Sequence, residues 1–348
     1  MVYASAIAAN GEKKEDTLLD WLLRRHPDTP KGRAKQWILA GRVAVNGTVV
    51  RKPHHVLADP GDGLVLHGRH AATWDCGGGL PVHPRVTLLH LDMALAVVNK
   101  GPGLIAVPAT EGELCALNIL ADFLAGRLKP LRRGPGMSPP PVYRRLQLQP
   151  VHRLDQYTSG VFCMAANPEA RRHLIEQLKA HTMGREYVAY VEGRPPAQSG
   201  AWRNWLQLSR DEMQQRILTP AQAKAAGDEA KEAVTHYEVI SVFEDAENGS
   251  AFSKLRLRLE TGRKHQIRAQ AAHAGLPLIG DRTYNPACRT RSSAVGVNDF
   301  PRQALHALTL TLEHPEQPGK RMSWTAELPK DLQQLETTLR SFSGGHRR

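Results

Sequence analysis

Cysteine is scarce in this chain of 348 residues, and its four copies, Cys76, Cys115, Cys163 and Cys288, are scattered. No two of them form a Cys-x-x-Cys pair, which argues against a zinc ribbon or a dithiol redox motif and leaves incidental reduced thiols. The 16 histidines are as dispersed, with no His-Glu-x-x-His or similar ligand spacing, so no metal and no cofactor are expected. Aromatic residues make up only 5% of the chain while hydrophobic residues make up 41%, so the core must rest on Leu, Val, Ile and Ala. No apolar run approaches the roughly 20 residues that cross a bilayer, and no basic helix has a clean apolar face, so no membrane partner is expected. The start, MVYASAIAANGEKKED, has no charged segment ahead of an apolar one and does not read as a signal peptide. A cytoplasmic protein is expected.

What the chain has in excess is positive charge. Lys and Arg number 46 against 34 Asp and Glu, a formal charge of +12. With the membrane reading weak, that balance favours nucleic acid as the polyanionic partner. The length predicts two domains, one of them large.

Along the chain, residues 1–13 read as a flexible tail and 14–68 as a small unit. In that unit TLLDWLLRRH carries Leu18, Leu19, Leu22 and Leu23 at helical spacing, and KGRAKQWILAG is a second short helix ended by Gly41. RVAVNGTVV then alternates around Asn46-Gly47, a strong hairpin signal. Lys31, Arg33, Lys35 and Arg42 cluster at the second helix and its exit. A Gly-, His- and Pro-rich linker follows over 69–86. The large domain is expected over 87–335, with a flexible tail over 336–348. Inside it, a Pro- and Arg-rich insertion over 129–145 reads as a mobile surface loop. Strands outnumber helices and many neighbours are hairpin-like, so the predicted class is α+β, with a mixed, mostly antiparallel sheet.

One stretch sits oddly in so basic a chain. VHRLDQYTSG places Asp155 between Arg153 and a Thr158-Ser159-Gly160 turn that leads into an apolar strand. A lone aspartate of this kind is most often a turn residue. At a face that binds a polyanion, it persists mainly where chemistry needs a carboxylate. Further on, TGRKHQIR puts His265 and Arg268 on one helix face, where an arginine could keep a nearby carboxylate ionised. Tyr187, in REYVAYVEG, is as compatible with a core position as with a face on which a flipped base could rest.

Taken together, these stretches resemble the RluA-type family of RNA pseudouridine synthases. HRLDQYTSG matches the family's catalytic-loop pattern His-Arg-Leu-Asp-x-x-Thr-Ser-Gly. REYVAYVEG, KEAVTHYEV, and TGRKHQIR with GLPLIGDRTY follow in the family's order. The small front unit resembles the αα-hairpin-hairpin RNA-binding module first recognised in a small-subunit ribosomal protein. The chain departs from the pattern at Gln156 and Tyr157, where charged residues are usual, and at Val107, where a histidine is common.

The resemblance implies isomerisation of uridine to pseudouridine in structured RNA, without metal or cofactor. It implies Asp155, Tyr187 and Arg268 as the catalytic group. His152, Arg153, Thr158, Arg263 and His265 would contact substrate, and Lys31, Arg33, Lys35 and Arg42 would hold RNA. Ribosomal RNA of the large subunit is the favoured substrate, with transfer RNA as the alternative, and the protein is expected to act as a monomer. Two rivals differ in class. An idle RNA-binding or ribosome-assembly factor would have no need of all three catalytic residues. A glycosidase-like enzyme would need a second carboxylate in acid/base partnership, for which only Asp281 is at hand.

Overall fold

The computed structural model describes residues 16–39, 42–46, 48–58, 63–66, 74, 79–131, 138–139, 141–211, 213–245, 249–290, 297 and 299–343. The expected tail over 1–13, Gly41, Gly47 and Cys76 lie outside them.

The front unit folds as its pattern predicts. Thr17 caps α1 (Leu18–Arg25): its hydroxyl accepts from the Asp20 N–H, and the Asp20 carboxylate accepts from the Thr17 N–H. Leu18, Leu19 and Leu22 bury against Ala34 and Ile38 of α2 (Lys31–Leu39). Strands β1 (Val43–Val45) and β2 (Thr48–Val49) form the expected hairpin around Asn46, whose φ of 49° suits the turn. A third strand, β3 (Leu64–Leu66), completes the sheet in the order β2-β1-β3. It buries Leu64 and Val43 on the helix pair.

The large domain is built on one twelve-stranded sheet. Its first half contains β4 (Leu80–His83), β5 (Val86–Leu91), β6 (Leu95–Lys100), helix α3 (Ala116–Leu124), β7 (Gln149–Pro150) and β8 (Ser159–Ala165). Helix α4 (Pro168–Lys179) follows, capped by Asn167 with Pro168 at its first position. Next come β9 (Gly184–Glu192), β10 (Ser199–Leu208), β11 (Gln215–Leu218), α5 (Pro220–Ala226), β12 (Lys231–Asp245) and β13 (Ser250–Leu259). The chain closes with α6 (Gln266–His273), α7 (Ala287–Thr290), β14 (Leu305–Glu313), β15 (Arg321–Thr325) and α8 (Lys330–Ser343).

The strand order is β11-β10-β12-β13-β9-β14-β8-β6-β5-β4, with β15 on β14 and β7 on β8. Among the strand pairs of the described residues, only the short β8–β14 contact, Ser159 and Gly160 against His306 and Ala307, is parallel. The mixed, mostly antiparallel α+β class is therefore the one observed. Alternation decides the faces: Leu255, Leu257 and Leu259 of β13 are buried, while Arg256 and Arg258 point to solvent. The main core runs under α3 and α6, and a second lies under α4. A third core takes Leu332, Leu335 and Leu339 of α8.

Four expectations change. The last part of the 69–86 linker is sheet, because Leu80 and Val82 bury one face of β4, and Trp74 is also in the core. Of the tail expected over 336–348, residues 336–343 are the second half of α8, and 344–348 lie outside the described residues. Leu339 is fully buried, and Glu336 accepts from Tyr190 Oη at 2.6 Å and Lys254 Nζ at 2.8 Å. The 129–145 insertion is pinned at one point, where Tyr143 is 1% exposed and its ring centroid lies 6.4 Å from that of Trp74. Finally, the turn at the catalytic-loop stretch comes earlier than predicted. It closes through Thr158 N–H to Asp155 O at 3.1 Å, and Ser159 and Gly160 already belong to β8.

Gly160 has φ 118°, and a Cβ there would lie 2.1 Å from the Ala307 carbonyl oxygen. Both the backbone conformation and the closeness of β14 therefore require glycine. Gly160→Ala is expected to lower stability by about 3 kcal/mol. Urea unfolding checks this, and a loss under about 0.5 kcal/mol would contradict the packing described.

Candidate active site

The loop from Val151 to Thr158 joins β7 to β8 and lines one wall of a cleft of about 640 Å3, within the size range of small-ligand sites. Strand β9 supplies Tyr187, and the turn after β13 supplies Arg263 and His265. Asp155 is the single carboxylate among the described lining residues, beside six lysines and arginines.

Asp155 is 20% exposed. Arg268 Nη1 reaches its Oδ2 at 3.4 Å, and His265 Nε2 lies 3.9 Å from Oδ1. The stronger bonds of Arg268 go elsewhere. Its Nε and Nη2 hold both oxygens of Asp281 at 2.7 and 2.8 Å, and its guanidinium lies 5.2 Å from the Tyr284 ring centroid. Asp281 is fully buried and also accepts from the Thr283 and Tyr284 N–H groups. It is therefore spoken for as the anchor of Arg268, which removes the one candidate for a second acid/base carboxylate. His265 precedes α6 with φ 52°, and its Nδ1 meets Tyr284 Oη at 3.2 Å. Burial pushes its pKa down against the pull of Asp155.

Helix α6 is nearly all buried although it is polar. Gln266 donates to Val234 O and Thr235 Oγ1, and Gln270 donates to Trp202 O and Ala233 O while accepting from Thr235 Oγ1. Satisfied amides fix the helix, and so Arg268, against β10 and β12.

Tyr187 is 7% exposed on the cleft wall. Burial pushes its phenol pKa up, opposed by Arg185 and reinforced by Asp155, so the hydroxyl stays protonated near neutrality. The ring offers a face for a base and its hydroxyl a proton donor or acceptor.

Two buried cations hold the loop itself. Lys100, fully buried, donates from Nζ to Gly101 O, Leu104 O and Gln156 O at 3.0, 2.8 and 3.1 Å. Arg302 donates from Nη1 to Tyr157 O at 3.0 Å, while its Nε and Nη2 grip Asp331. The two carbonyls that follow Asp155 are thus fixed from both sides.

A family model for RNA pseudouridylate synthase matches residues 94–273, and an S4 domain model matches 17–64. The chain belongs to the RNA pseudouridylate synthase family. It is 32% identical to the ribosomal large subunit pseudouridine synthase D of Yersinia pestis over 322 residues, covering 90% of this chain and 88% of that protein. It is 33% identical to the protein of that name from Pseudomonas aeruginosa, covering 90% and 89%. Among solved structures, human RNA pseudouridylate synthase domain containing 4 aligns with a TM-score of 0.51 at 22% identity, over 73% of this chain and 92% of that one. That likeness bears on the fold.

Of the residues singled out in this pseudouridine synthase's sequence, Asp155, Tyr187, Arg268, Arg153, Thr158, Arg263 and His265 meet in the one cleft. Arg153 is exposed at its rim, and Thr158 is buried and accepts from Gln303. Arg263 leans on Glu232 O. His152 also lines the cleft, but its Nε2 accepts the Cys163 N–H at 3.1 Å and burial pushes its pKa down to about 3. It is a neutral brace for the loop rather than a free substrate contact. Lys31, Arg33 and Lys35 are exposed on α2, whereas Arg42 is half-buried with its guanidinium 5.0 Å from the Trp37 ring centroid.

Sequence reasoning gave no role to Tyr284, Lys100, Arg185 or Arg302. The available signal was a lone cation at the end of an apolar run, as in LAVVNK.

Burial and the charge of Arg302 push the Lys100 pKa from 10.5 down to about 7. Between those values the unfolded chain holds a proton that the folded chain lacks, so this group makes stability rise as pH rises. The stability of wild type relative to Lys100→Met should therefore increase from pH 7 to pH 10. Parallel melting curves across that range would contradict the burial of this amine.

Proposed function

We propose that this synthase isomerises uridine in large-subunit ribosomal RNA, with Asp155 as the essential group and Tyr187 and Arg268 beside it. The observation that carries the reading is a lone carboxylate in a cationic cleft, oriented by an arginine whose other bonds are committed to Asp281. The N1–C1′ bond of the uridine breaks, the uracil turns on the Tyr187 face, and a C5–C1′ bond forms. Asp155 acts at the sugar, as nucleophile at C1′ or as the base that yields a glycal. Tyr187 holds the base and exchanges protons as C5 loses its hydrogen. Arg153, at the rim, holds phosphates or fills the gap left by the flipped base. The names of the relatives favour large-subunit ribosomal RNA over transfer RNA. The protein is read as a monomer working in the cytoplasm.

Asp155→Asn keeps the shape and removes the anion. It is expected to bind RNA within a few-fold of wild type and to form no pseudouridine, as read by mapping the products in large-subunit RNA. Measurable turnover by the purified variant would sink the assignment. In the same assay Arg268→Lys, a point charge without the planar fork, should slow the single-turnover rate by roughly 100-fold with little change in RNA affinity.

The S4 unit binds through exposed cations on α2, an electrostatic contact that weakens with salt. Replacing Lys31, Arg33 and Lys35 together with Gln should lower affinity and reduce the salt slope by as much as about 3, leaving the rate on saturating RNA intact. An unchanged slope would remove the module from the RNA contact.

A further inference from the structure

Arg185 lies on β9 two residues before Tyr187, so the two side chains leave the same face of the strand. It is 7% exposed and lines the cleft. Its bonding is unlike that of the other buried arginines. Arg302 and Arg268 each hold a carboxylate with two nitrogens. Among the described residues Arg185 makes one hydrogen bond, from Nη2 to Glu260 O at 2.9 Å, and its Nε has no partner. No carboxylate of the described residues pairs with it, and the titratable groups that face it are Tyr187, Cys163 and His152, all neutral at ordinary pH. A buried guanidinium with five donors and one bond is costly unless something else completes it.

The surroundings indicate what completes it. Gly262 stands against the guanidinium, and a Cβ there would come 2.4 Å from Nη1, so the Thr-Gly-Arg turn leaves room for it. Lys179 at the end of α4 and His181 also line the cleft. His181 donates from Nδ1 to the same Glu260 carbonyl at 2.6 Å, which leaves Nε2 unused. The one carboxylate among the described lining residues, Asp155, is held by Arg268 and His265 instead. A neutral carbonyl would leave the charge of this corner uncompensated, whereas a phosphate would answer both the charge and the empty donors.

We propose that Arg185, with Lys179 and His181 at its rim, forms a phosphate subsite that grips the RNA backbone next to the uridine entering the cleft. This rests on the reading of the cleft as the uridine pocket. Tyr187 and Arg185 are one pleat repeat apart, about 6.6 Å, so the base would lie on one and a neighbouring phosphate on the other. The subsite places the nucleotide along the cleft and takes no part in bond making.

The test uses the full chain and a short RNA containing the uridine it modifies, synthesised with a single neutral methylphosphonate at each nearby linkage in turn. One linkage should weaken wild-type binding roughly tenfold, the scale of a lost charge-assisted hydrogen bond. Arg185→Met should lose a similar factor on the unmodified RNA and nothing further at that linkage, while other linkages cost both proteins equally. Arg185→Lys should regain part of the response at that same linkage. Additive losses at every linkage, or Arg185→Met binding within twofold of wild type, would overturn the subsite. So would a wild-type protein insensitive to every linkage, a result that needs no variant to fold. If wild type forms no pseudouridine on the unmodified RNA, the uridine-pocket reading falls first and the subsite with it.

Discussion

Arg268 stands between two carboxylates and is bonded unequally to them. Asp281 takes its Nε and Nη2 at 2.7 and 2.8 Å in a fully buried pair, and Asp155 receives the remaining Nη1 at 3.4 Å. A buried ion pair is weak evidence of stability, because desolvation offsets much of the attraction. Its value here is geometric. Asp281 fixes the plane of the guanidinium through a turn that it also caps, and the buried amides of Gln266 and Gln270 fix the helix that carries it. Asp155 therefore faces a cation that cannot swing away, yet it is not neutralised by a tight fork of its own. That leaves a carboxylate that is oriented by its neighbour without being locked into a tight ion pair of its own.

The same economy of charge runs through the rest of the cleft. A carboxylate repels the RNA backbone, and the basic lining offsets that repulsion. The loop bearing Asp155 is held through its backbone carbonyls by Lys100 and Arg302. The hold on the loop thus needs no charge at 156 or 157, where charged residues are usual in the family: Gln156 Nε2 donates to Gly103 O at 3.4 Å and Tyr157 is exposed. His152 serves the same loop as a neutral acceptor. Three of the groups around Asp155 thus act on main chain, and the cations that remain open to solvent or to the cleft are the ones free to meet RNA.

Much of this was legible in the sequence because local patterns carried it. The capping residues Thr17 and Asn167, the alternation of Leu255, Leu257 and Leu259, and the helix–helix–hairpin order of the front unit each follow from rules acting over a few residues. Asp155, Tyr187 and Arg268 stood out through motifs in a fixed order. Misplacements arose where burial comes from distant partners. Glu336 and Leu339 look like a polar tail until Tyr190 and Lys254, far back in the chain, supply the surface that α8 covers. Tyr143 looks like part of a Pro-rich loop until Trp74 meets it.

The sequence by itself determined the α+β class and the reaction family, and it singled out three residues that the fold brings into one cleft, because motif, period and charge are local properties. Only the tertiary structure decided how those residues share their bonds. That Arg268 answers first to Asp281, that His152 is occupied by Cys163, and that Lys100 and Arg302 grip the catalytic loop all depend on contacts between segments as much as 145 residues apart. That Arg185 is left with one hydrogen bond among the described residues, in the wall of the cleft, was decided in the same way. A sequence shows which donors and acceptors exist, but their pairing is settled only when the folded chain brings them within about 3 Å of one another.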